Sequence, residues 1–445
     1  MGTGLGHYIP LVAYLGFWVM CLVSLGGRPL LGLYFLIPFL PYRTMRDHFL
    51  AYPLGGNILT ILVLAILIGA LMRGKQLPKS NLYLIWLACL LYLYISMWFG
   101  TALGNGPPPV WLSDNNFLTW KDYLLIPVLF IAAALVIEDR KSINIVVVLT
   151  AVTLLLIDKS ALAESLSRSF AHFDESKRDA GPLGYAGANG LAAFLAQSAM
   201  FFWGFSQYVK KRKYKLLSYG LVAVTLFATM YTFSRASYIA VILGVFALGI
   251  LKDRKLLFIG IAFLLTWQTI VPVAVTERID MTQDSNGQLE ASAGYRVKLW
   301  EEAKTSMLIN PIFGTGYATY QYGTHAGDLK DTHNYYVKVM VETGLIGIGF
   351  TVLLFQQILS VAYRLFKRAR DPLYQGLGLG LFLATGACAI VNFFGDRWNF
   401  VEIIGPLWVL TAAALRASQL EASPTEELVA SVEKPVVSNP YLVYR

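Results

Sequence analysis

The chain is dominated by apolar runs that are long enough to cross a lipid bilayer. A transmembrane helix needs about 20 mainly apolar residues, within a range of roughly 17–25. The shortest run, 29–42, is either a full or a partial crossing, so twelve or thirteen spans are predicted: 8–25, 29–42, 58–72, 82–103, 122–137, 143–158, 188–208, 216–233, 236–251, 256–275, 336–363, 374–393 and 400–416. Only 14% of the residues are charged, against about 25% in soluble proteins. These features predict an all-α polytopic membrane protein with about 12 transmembrane helices.

One long loop and one polar tail interrupt this pattern. We expect a single transmembrane domain over residues 1–416, with a loop at 276–334 inserted in it. Residues 417–445 are rich in Pro, Ser and Glu, which is typical of a disordered tail. The three cysteines, Cys21, Cys89 and Cys388, lie within apolar runs and indicate membrane packing rather than a disulfide or zinc framework.

The formal net charge of +9 is concentrated in a few loops. Each basic cluster follows an alternate predicted span, and cytoplasmic loops of membrane proteins are enriched in Lys and Arg. These loops, and the polar tail, are therefore expected in the cytoplasm. Topology accounts for the basic residues, so no nucleic-acid partner is predicted. The clusters are 72–79, 138–141, 210–215, 252–255 and 363–370.

The loops on the opposite side should be poor in arginine, yet six arginines lie there. Arginine carries a permanent charge on a rigid fork of donors that matches phosphate. An anionic substrate on the outer side would explain this pattern. The six residues are Arg168, Arg178, Arg235, Arg278, Arg296 and Arg397.

Two of these arginines have a distinctive local setting. Arg235 lies in "FSRAS", the predicted hinge between two spans at the outer surface; a snorkelling anchor is the alternative interpretation. Arg296 lies on the apolar stripe of a predicted amphipathic helix along the membrane surface, although it could simply border a packing face. That stripe contains Leu299, Trp300, Ala303 and Met307.

A histidine marks the point where the chain re-enters the membrane, in "DTHNYYVKVMVETGLIG". Asp331 or Thr332 is the predicted N-cap, which would place His333 in the first helical turn. The partial positive charge there attracts phosphate and disfavours imidazolium, so a neutral imidazole could accept a proton. The alternatives are an interfacial histidine with a structural hydrogen bond, and a metal site. The metal site would use His325, Asp328, Asp331 and His333, which match no compact ligand-spacing motif.

The order of several motifs resembles the O-antigen ligase and polymerase superfamily. They are "RDAGPLGYAGANGLAAFLA", "YTFSRASYIA", "GYRVKLWEEAKTSMLINPIFGTGYATY", "HNYYVKVMVETGLIGIG" and "FFGDRWNFVEIIGPLW". Each string is weak alone, but together they flank one long outer loop. The resemblance covers about residues 178–410, and the first half of the chain only in its pattern of spans.

The resemblance implies a glycosyltransferase of the bacterial inner membrane, with a GT-C-like fold and without metal or cofactor. Such enzymes take a glycan from undecaprenyl diphosphate and transfer it at the periplasmic face. The acceptor is lipid A–core in O-antigen ligases, another lipid-linked repeat in polymerases, and a protein hydroxyl in related members. By motif, His333 would be catalytic and Arg235, Arg296 and Arg178 would bind the donor diphosphate. Supporting residues would be Asn334, Trp300, Asp396 and Arg397.

The residues suit this chemistry. Fixed arginine charges would stabilise the departing diphosphate, and His333 would deprotonate or orient the acceptor hydroxyl for a single inverting displacement. We expect an O-antigen ligase, with a polymerase or a protein O-oligosaccharyltransferase as the alternatives. A transporter would place its ionisable residues near mid-membrane on broken helices, whereas the conspicuous charges here lie at the outer edge.

Overall fold

The computed structural model describes residues 8–104, 106, 108–110, 114–166, 172–175, 178, 180–281, 291–322 and 332–432. No strand occurs in these ranges. They form the helices α1 (Ile9–Leu25), α2 (Pro29–Phe39), α3 (Arg43–His48), α4 (Ile58–Met72), α5 (Leu82–Ala102), α6 (Asn115–Val136), α7 (Arg140–Leu166), α8 (Gly187–Ser206), α9 (Arg212–Met230), α10 (Arg235–Leu251), α11 (Lys255–Ile270), α12 (Val273–Asp280), α13 (Ala291–Ile309), α14 (Tyr335–Arg368), α15 (Pro372–Val391) and α16 (Val401–Val432). The predicted all-α polytopic membrane fold is confirmed.

The described helices that meet the criteria for a membrane span are fewer than the predicted spans. Each predicted apolar run overlaps one helix, except 256–275, which is divided between α11 and α12. By length and composition, seven described helices can cross a membrane, or up to eight if α11 and α12 form one bent span. The helices α1, α2 and α10 are apolar but shorter. The expected count of about 12 spans is therefore not confirmed.

The predicted run 256–275 is not one straight helix. The helices α11 and α12 meet at an angle of 103°. Val271 adopts an extended conformation, with φ −84° and ψ 153°. The residue before a proline is biased away from helical geometry, and Pro272 follows here. The bend turns α12 away from the axis of α11 before the long loop begins.

The core is built by closely packed small residues and by aromatic rings. The helices α8 and α15 approach so closely that a Cβ on Gly204 would lie 3.0 Å from the Cα of Gly380. Such small-residue contacts let membrane helices gain van der Waals packing. Nearby, Trp408 of α16 packs against Trp86 and Phe130, each at 5.1 Å between ring centroids.

The loops gather into two groups at opposite ends of the bundle. We call the first group the basic end, because it contains residues 72–79, 138–141, 210–215, 252–255 and 363–370. Lys75 pairs there with Glu138, and Lys252 lies 4.1 Å above the ring of Tyr208.

Asp371 joins two of these loops. It caps α15 by accepting from the N–H of Leu373 (2.9 Å), and it pairs with Arg140. The Arg140 guanidinium holds the pKa of Asp371 below its usual range. The alternation of loops that the basic clusters predict is therefore present in the fold.

The second group of loops, which we call the site end, contains residues 40–57, 172–187, 231–235, 310–334 and 392–400 where these are described. The Thr44 hydroxyl donates to Pro182 O at 3.3 Å. Arg397 donates to Ala186 O at 3.4 Å. Among the predicted candidate residues, this end contains Arg178, Arg235, His333, Asn334, Asp396 and Arg397.

The predicted end of the transmembrane domain, residue 416, lies inside a helix. The helix α16 continues without a break to Val432. Leu420 packs against the core, and the Glu421 carboxylate accepts from the N–H of Arg370 at 2.6 Å. These contacts hold the chain in the helix past the last fully apolar turn. Residues 433–445 of the expected tail lie outside the described residues.

Candidate active site

The turn before Arg235 is a strained, buried hinge. The helix α9 ends at Met230 and α10 begins at Arg235, as the sequence predicts. Phe233 has a left-handed φ of +54°, which non-glycine residues rarely adopt. Its ring is buried and packs 5.2 Å from Phe173. The packing of Phe233 thus fixes the start of α10 and the place of Arg235.

Arg178 connects this turn to the central helix α8. Its guanidinium donates to Thr232 O (3.2 Å), Glu175 Oε1 (2.8 Å) and Asn189 Oδ1 (2.6 Å). The side chain is only 11% exposed. Three of the five N–H donors of a guanidinium are therefore used by protein groups. The predicted role of Arg178 in binding the donor diphosphate stays a prediction, since these protein groups already take up most of its donors.

Arg278 brings a second guanidinium to the same carboxylate. Its Nη2 lies 3.6 Å from Glu175 Oε2, and its side chain is 7% exposed. Its Cζ lies 4.7 Å above the ring of Phe173. Arg278 is one of the six predicted outer arginines but not a predicted site residue, because only the docking of α12 brings it to Glu175. We call Arg178, Arg278 and the adjacent Arg235 the arginine cluster.

The docking of α12 has its own contacts. The carboxylate of Glu277 accepts from the N–H of Phe173 at 2.8 Å and lies 2.7 Å from His172 Nδ1. Residues 172–175 are thereby held between α12 and the turn at Phe233. As a result, Arg178 and Arg278 approach one carboxylate from two elements that are far apart in the chain.

The helix α13 packs against the start of α14. Leu299 and Ala303 are fully buried, and Met307 packs beside Ala303. Leu299, Ala303 and Met307 of the predicted apolar stripe therefore pack within the protein. The indole N–H of Trp300 donates to Thr332 O at 3.0 Å, next to His333. Arg296, one turn before Trp300, is partly buried.

His333 does not lie in the first turn of a helix, and the predicted N-cap is wrong. The N-cap is Asn334, whose side-chain oxygen accepts from the N–H groups of Tyr336 (3.0 Å) and Val337 (3.2 Å). The hydroxyl of Thr332 instead donates to Asn334 O at 2.8 Å, while Asp331 lies outside the described residues. His333 precedes the cap with a φ of +51°. Asparagine is among the strongest N-cap residues, and this preference decides where the helix starts.

The helix α14 is interrupted at Gly344, and a loop fills the gap. Gly344 has φ +61° and ψ −161°. The carbonyls of Val341 and Glu342 accept from Thr315 N and Gly316 N, both at 2.8 Å. The N–H of Leu345 donates to Pro311 O at 2.9 Å. Backbone groups released by the break are thus satisfied by residues 311–316, as buried backbone requires.

A buried carboxyl strengthens this junction. Glu342 is 3% exposed, and its Oε1 accepts from the N–H of Tyr320 at 3.2 Å. The segment 310–322 is therefore fixed to the same nine-residue portion of α14 that follows His333. Glu342 is not among the predicted site residues, since one carboxyl within an apolar run forms no recognisable motif.

The predicted supporting residues Asp396 and Arg397 connect other elements. Asp396 Oδ2 accepts from Lys338 Nζ (2.9 Å) and Asn399 Nδ2 (2.7 Å). Arg397 reaches Ala186 O just before α8. The first turn of α14 is thereby tied to residues 392–400, and these to the entrance of α8. Lys338 is a further residue that the sequence pattern did not single out.

The metal alternative cannot be placed on this geometry. His325, Asp328 and Asp331 all lie outside the described residues. Among the residues that the structure does describe, no group of three His, Cys, Asp or Glu side chains could hold a metal ion.

The protein is an all-α polytopic membrane protein with buried arginines clustered at one end. Two comparisons with known proteins agree with the superfamily resemblance of its motifs. The family model described as "O-Antigen ligase" matches residues 220–352. This range contains the hinge at Arg235, α13 and the start of α14 with His333.

A curated relative extends this finding. The chain is 29% identical over 169 residues to the "Exopolysaccharide production protein ExoQ" of Rhizobium meliloti (strain 1021). The match covers 33% of this chain and 38% of that protein. Together the two comparisons confirm the resemblance to the O-antigen ligase and polymerase superfamily.

Proposed function

We propose that this protein is a glycosyltransferase that moves a glycan from undecaprenyl diphosphate to lipid A–core, as an O-antigen ligase does. The observation that carries the proposal is the arginine cluster. Two nearly buried guanidinium groups, of Arg178 and Arg278, both contact the carboxylate of Glu175 beside the turn that bears Arg235. Permanent positive charges on rigid forks of donors, brought together in this way, suit a diphosphate.

The reaction is a single displacement at the anomeric carbon. The acceptor oxygen forms a bond to that carbon as the bond to the diphosphate oxygen breaks, and the diphosphate leaves with the bonding electrons. Arg235 and Arg296 stabilise its developing charge by preorganised positive groups. His333 takes the proton of the acceptor hydroxyl. The configuration inverts, and the arginines make a metal ion or another cofactor unnecessary.

The protein lies in the bacterial inner membrane in this proposal. The basic end faces the cytoplasm, in keeping with the enrichment of Lys and Arg in cytoplasmic loops. The site end then faces the periplasm, where lipid-linked donor and acceptor meet.

A second candidate is a polymerase that extends one lipid-linked glycan with another. The similarity to the exopolysaccharide production protein favours it. The donor and the arginine cluster would serve both reactions equally. Only the acceptor would differ.

The test is glycan transfer by the purified protein with a labelled undecaprenyl-diphosphate glycan as donor. Lipid A–core and a second lipid-linked glycan are offered separately as acceptors. Glycosylated lipid A–core supports the ligase, and an elongated lipid-linked product supports the polymerase. Donor that is bound and released unchanged with both acceptors would contradict glycosyl transfer to either.

A further inference from the structure

A cavity of about 760 Å³ opens at the basic end, whereas the candidate active site lies at the site end. It lies between the last turns of α14, residues 415–422 of α16 and the residues that precede α5. Its volume falls within the roughly 300–1,000 Å³ that is typical of ligand sites. The proposed glycosyl transfer gives this cavity no role.

The cavity has a strongly positive lining. Four cations contribute to it, namely Lys79, Arg364, Arg368 and Arg370. Within the described part of the chain, none of the four pairs with a carboxylate. Glu421, the carboxylate among the described lining residues, accepts from the backbone N–H of Arg370. The described lining therefore carries more positive than negative charge.

Part of the wall is apolar. Val361 and Leu365 of α14 and Leu415 of α16 line the cavity together with the cations, and each is almost fully buried. A small soluble anion gains nothing from such a wall. A phospholipid has both the phosphate for the arginines and the hydrocarbon for the apolar side chains.

The position of the cavity agrees with this chemistry. Arg364 and Arg368 lie in the last turns of a predicted span, and residues 79–81 precede another. These span ends place the cavity at the level of the lipid headgroups. Basic pockets between transmembrane helices at the cytoplasmic side recognise anionic headgroups.

We propose that this cavity binds the phosphate headgroup of an anionic phospholipid from the leaflet at the basic end. The arginines bind the phosphate through their paired donors. The acyl chains start along Val361, Leu365 and Leu415. The inference does not depend on the proposed glycosyl transfer.

The experiment measures retention of added lipid by the intact purified protein, using native mass spectrometry. Phosphatidylglycerol and phosphatidylethanolamine are compared, with inorganic phosphate as competitor. The double variant R364Q/R368Q removes two cations from the cavity. The matched control is Lys367→Gln on the same helical turn, because the Lys367 amine lies 4.7 Å from the Phe366 ring and does not line the cavity.

We expect wild type and Lys367→Gln to retain phosphatidylglycerol in preference to phosphatidylethanolamine. The double variant should bind it roughly 30-fold more weakly, since each cation near an anionic surface contributes about fivefold. Equal loss in Lys367→Gln would mean general surface attraction and would overturn the proposal. So would unchanged retention in the double variant, or complete displacement of the lipid by millimolar inorganic phosphate.

Discussion

Arg178 and Arg278 show how single guanidinium groups build a charged site within a membrane protein. Each contacts Glu175, but Arg178 also binds a backbone carbonyl and an amide, whereas Arg278 stacks on an aromatic ring.

The arginine fork can be tested separately from its charge. Arg235→Lys and Arg296→Lys keep the positive charge and the ability to snorkel, but they lose the planar pair of donors. We expect glycan transfer to fall by about 10²-fold or more in each, as when a preorganised donor is removed. Initial rates and thermal stability in detergent would be measured together.

The matched control is Arg254→Lys, an exposed arginine at the basic end. It should transfer glycan at the wild-type rate. If Arg235→Lys and Arg296→Lys also did so, both residues would be membrane anchors and not part of a diphosphate site.

The role of His333 can be tested by separating chemistry from donor binding. His333→Ala should slow the chemical step by about 10²–10⁴-fold, the usual contribution of general acid–base catalysis. Affinity for the lipid diphosphate should change much less, because the arginines remain. Single-turnover rates and donor binding would be measured with and without EDTA, which should have no effect.

His325→Ala provides the comparison within the same loop and should be nearly silent. Equal damage from His325→Ala and His333→Ala would indicate the metal site instead. Loss of wild-type activity on chelation would indicate the same.

At the scale of elements, we expect the position of His333 to depend on the break in helix α14 rather than on the length of that helix. The segment 335–343 follows directly after His333 and its neighbour Asn334. Residues 345–368 form the longer part of the helix beyond the break. The loop 311–316 occupies the break through backbone hydrogen bonds. The loop and both halves of α14 therefore hold one another in place, and Glu342 adds a side-chain contact to this junction.

Gly344→Ala should disrupt that junction. A Cβ at this residue would lie 2.3 Å from Ile312 O, and the positive φ is itself unfavourable for alanine. We expect a loss of stability of about 1–3 kcal/mol, measured as thermal unfolding in detergent. Glycan transfer should fall as well, because the position of His333 depends on the junction.

Gly349→Ala is the control within the same helix. A Cβ there would meet nothing within 4 Å, so the variant should be as stable as wild type or slightly more stable. If both alanine variants behaved alike, the break at Gly344 would have no structural role.

On the scale of the whole molecule, the basic end and the site end predict one orientation. Reporters fused at Lys211, Lys252 and Arg368 should read as cytoplasmic, because Lys and Arg are enriched on that side. Reporters at Asp114, Ser285 and Asp396 should read as periplasmic. Alkaline phosphatase and green fluorescent protein fusions would report the two sides.

A cytoplasmic signal at Ser285 would remove the periplasmic active site. Mixed signals among Lys211, Lys252 and Arg368 would show that the basic clusters do not share one side. Either result would contradict the proposed orientation.

The sequence by itself determined the class of fold and the approximate position of the apolar helices, apart from the bend between α11 and α12. The length of apolar runs and the distribution of Lys and Arg can be read directly from the sequence. In a membrane protein these two properties are enough to predict which segments form helices and which loops share a side. The motifs around Arg235, Arg296 and His333 also indicated the superfamily. The resemblance needed only their order along the chain.

Only the tertiary structure decided how the site is assembled. Arg278 reaches Glu175 because α12 bends away from α11, and Glu342 reaches Tyr320 because the chain folds back on a broken helix. The competition between Thr332 and Asn334 for the cap also placed His333 outside the helix. These outcomes depend on contacts between distant residues and on which of several local hydrogen bonds wins, and neither is encoded in hydrophobic periodicity.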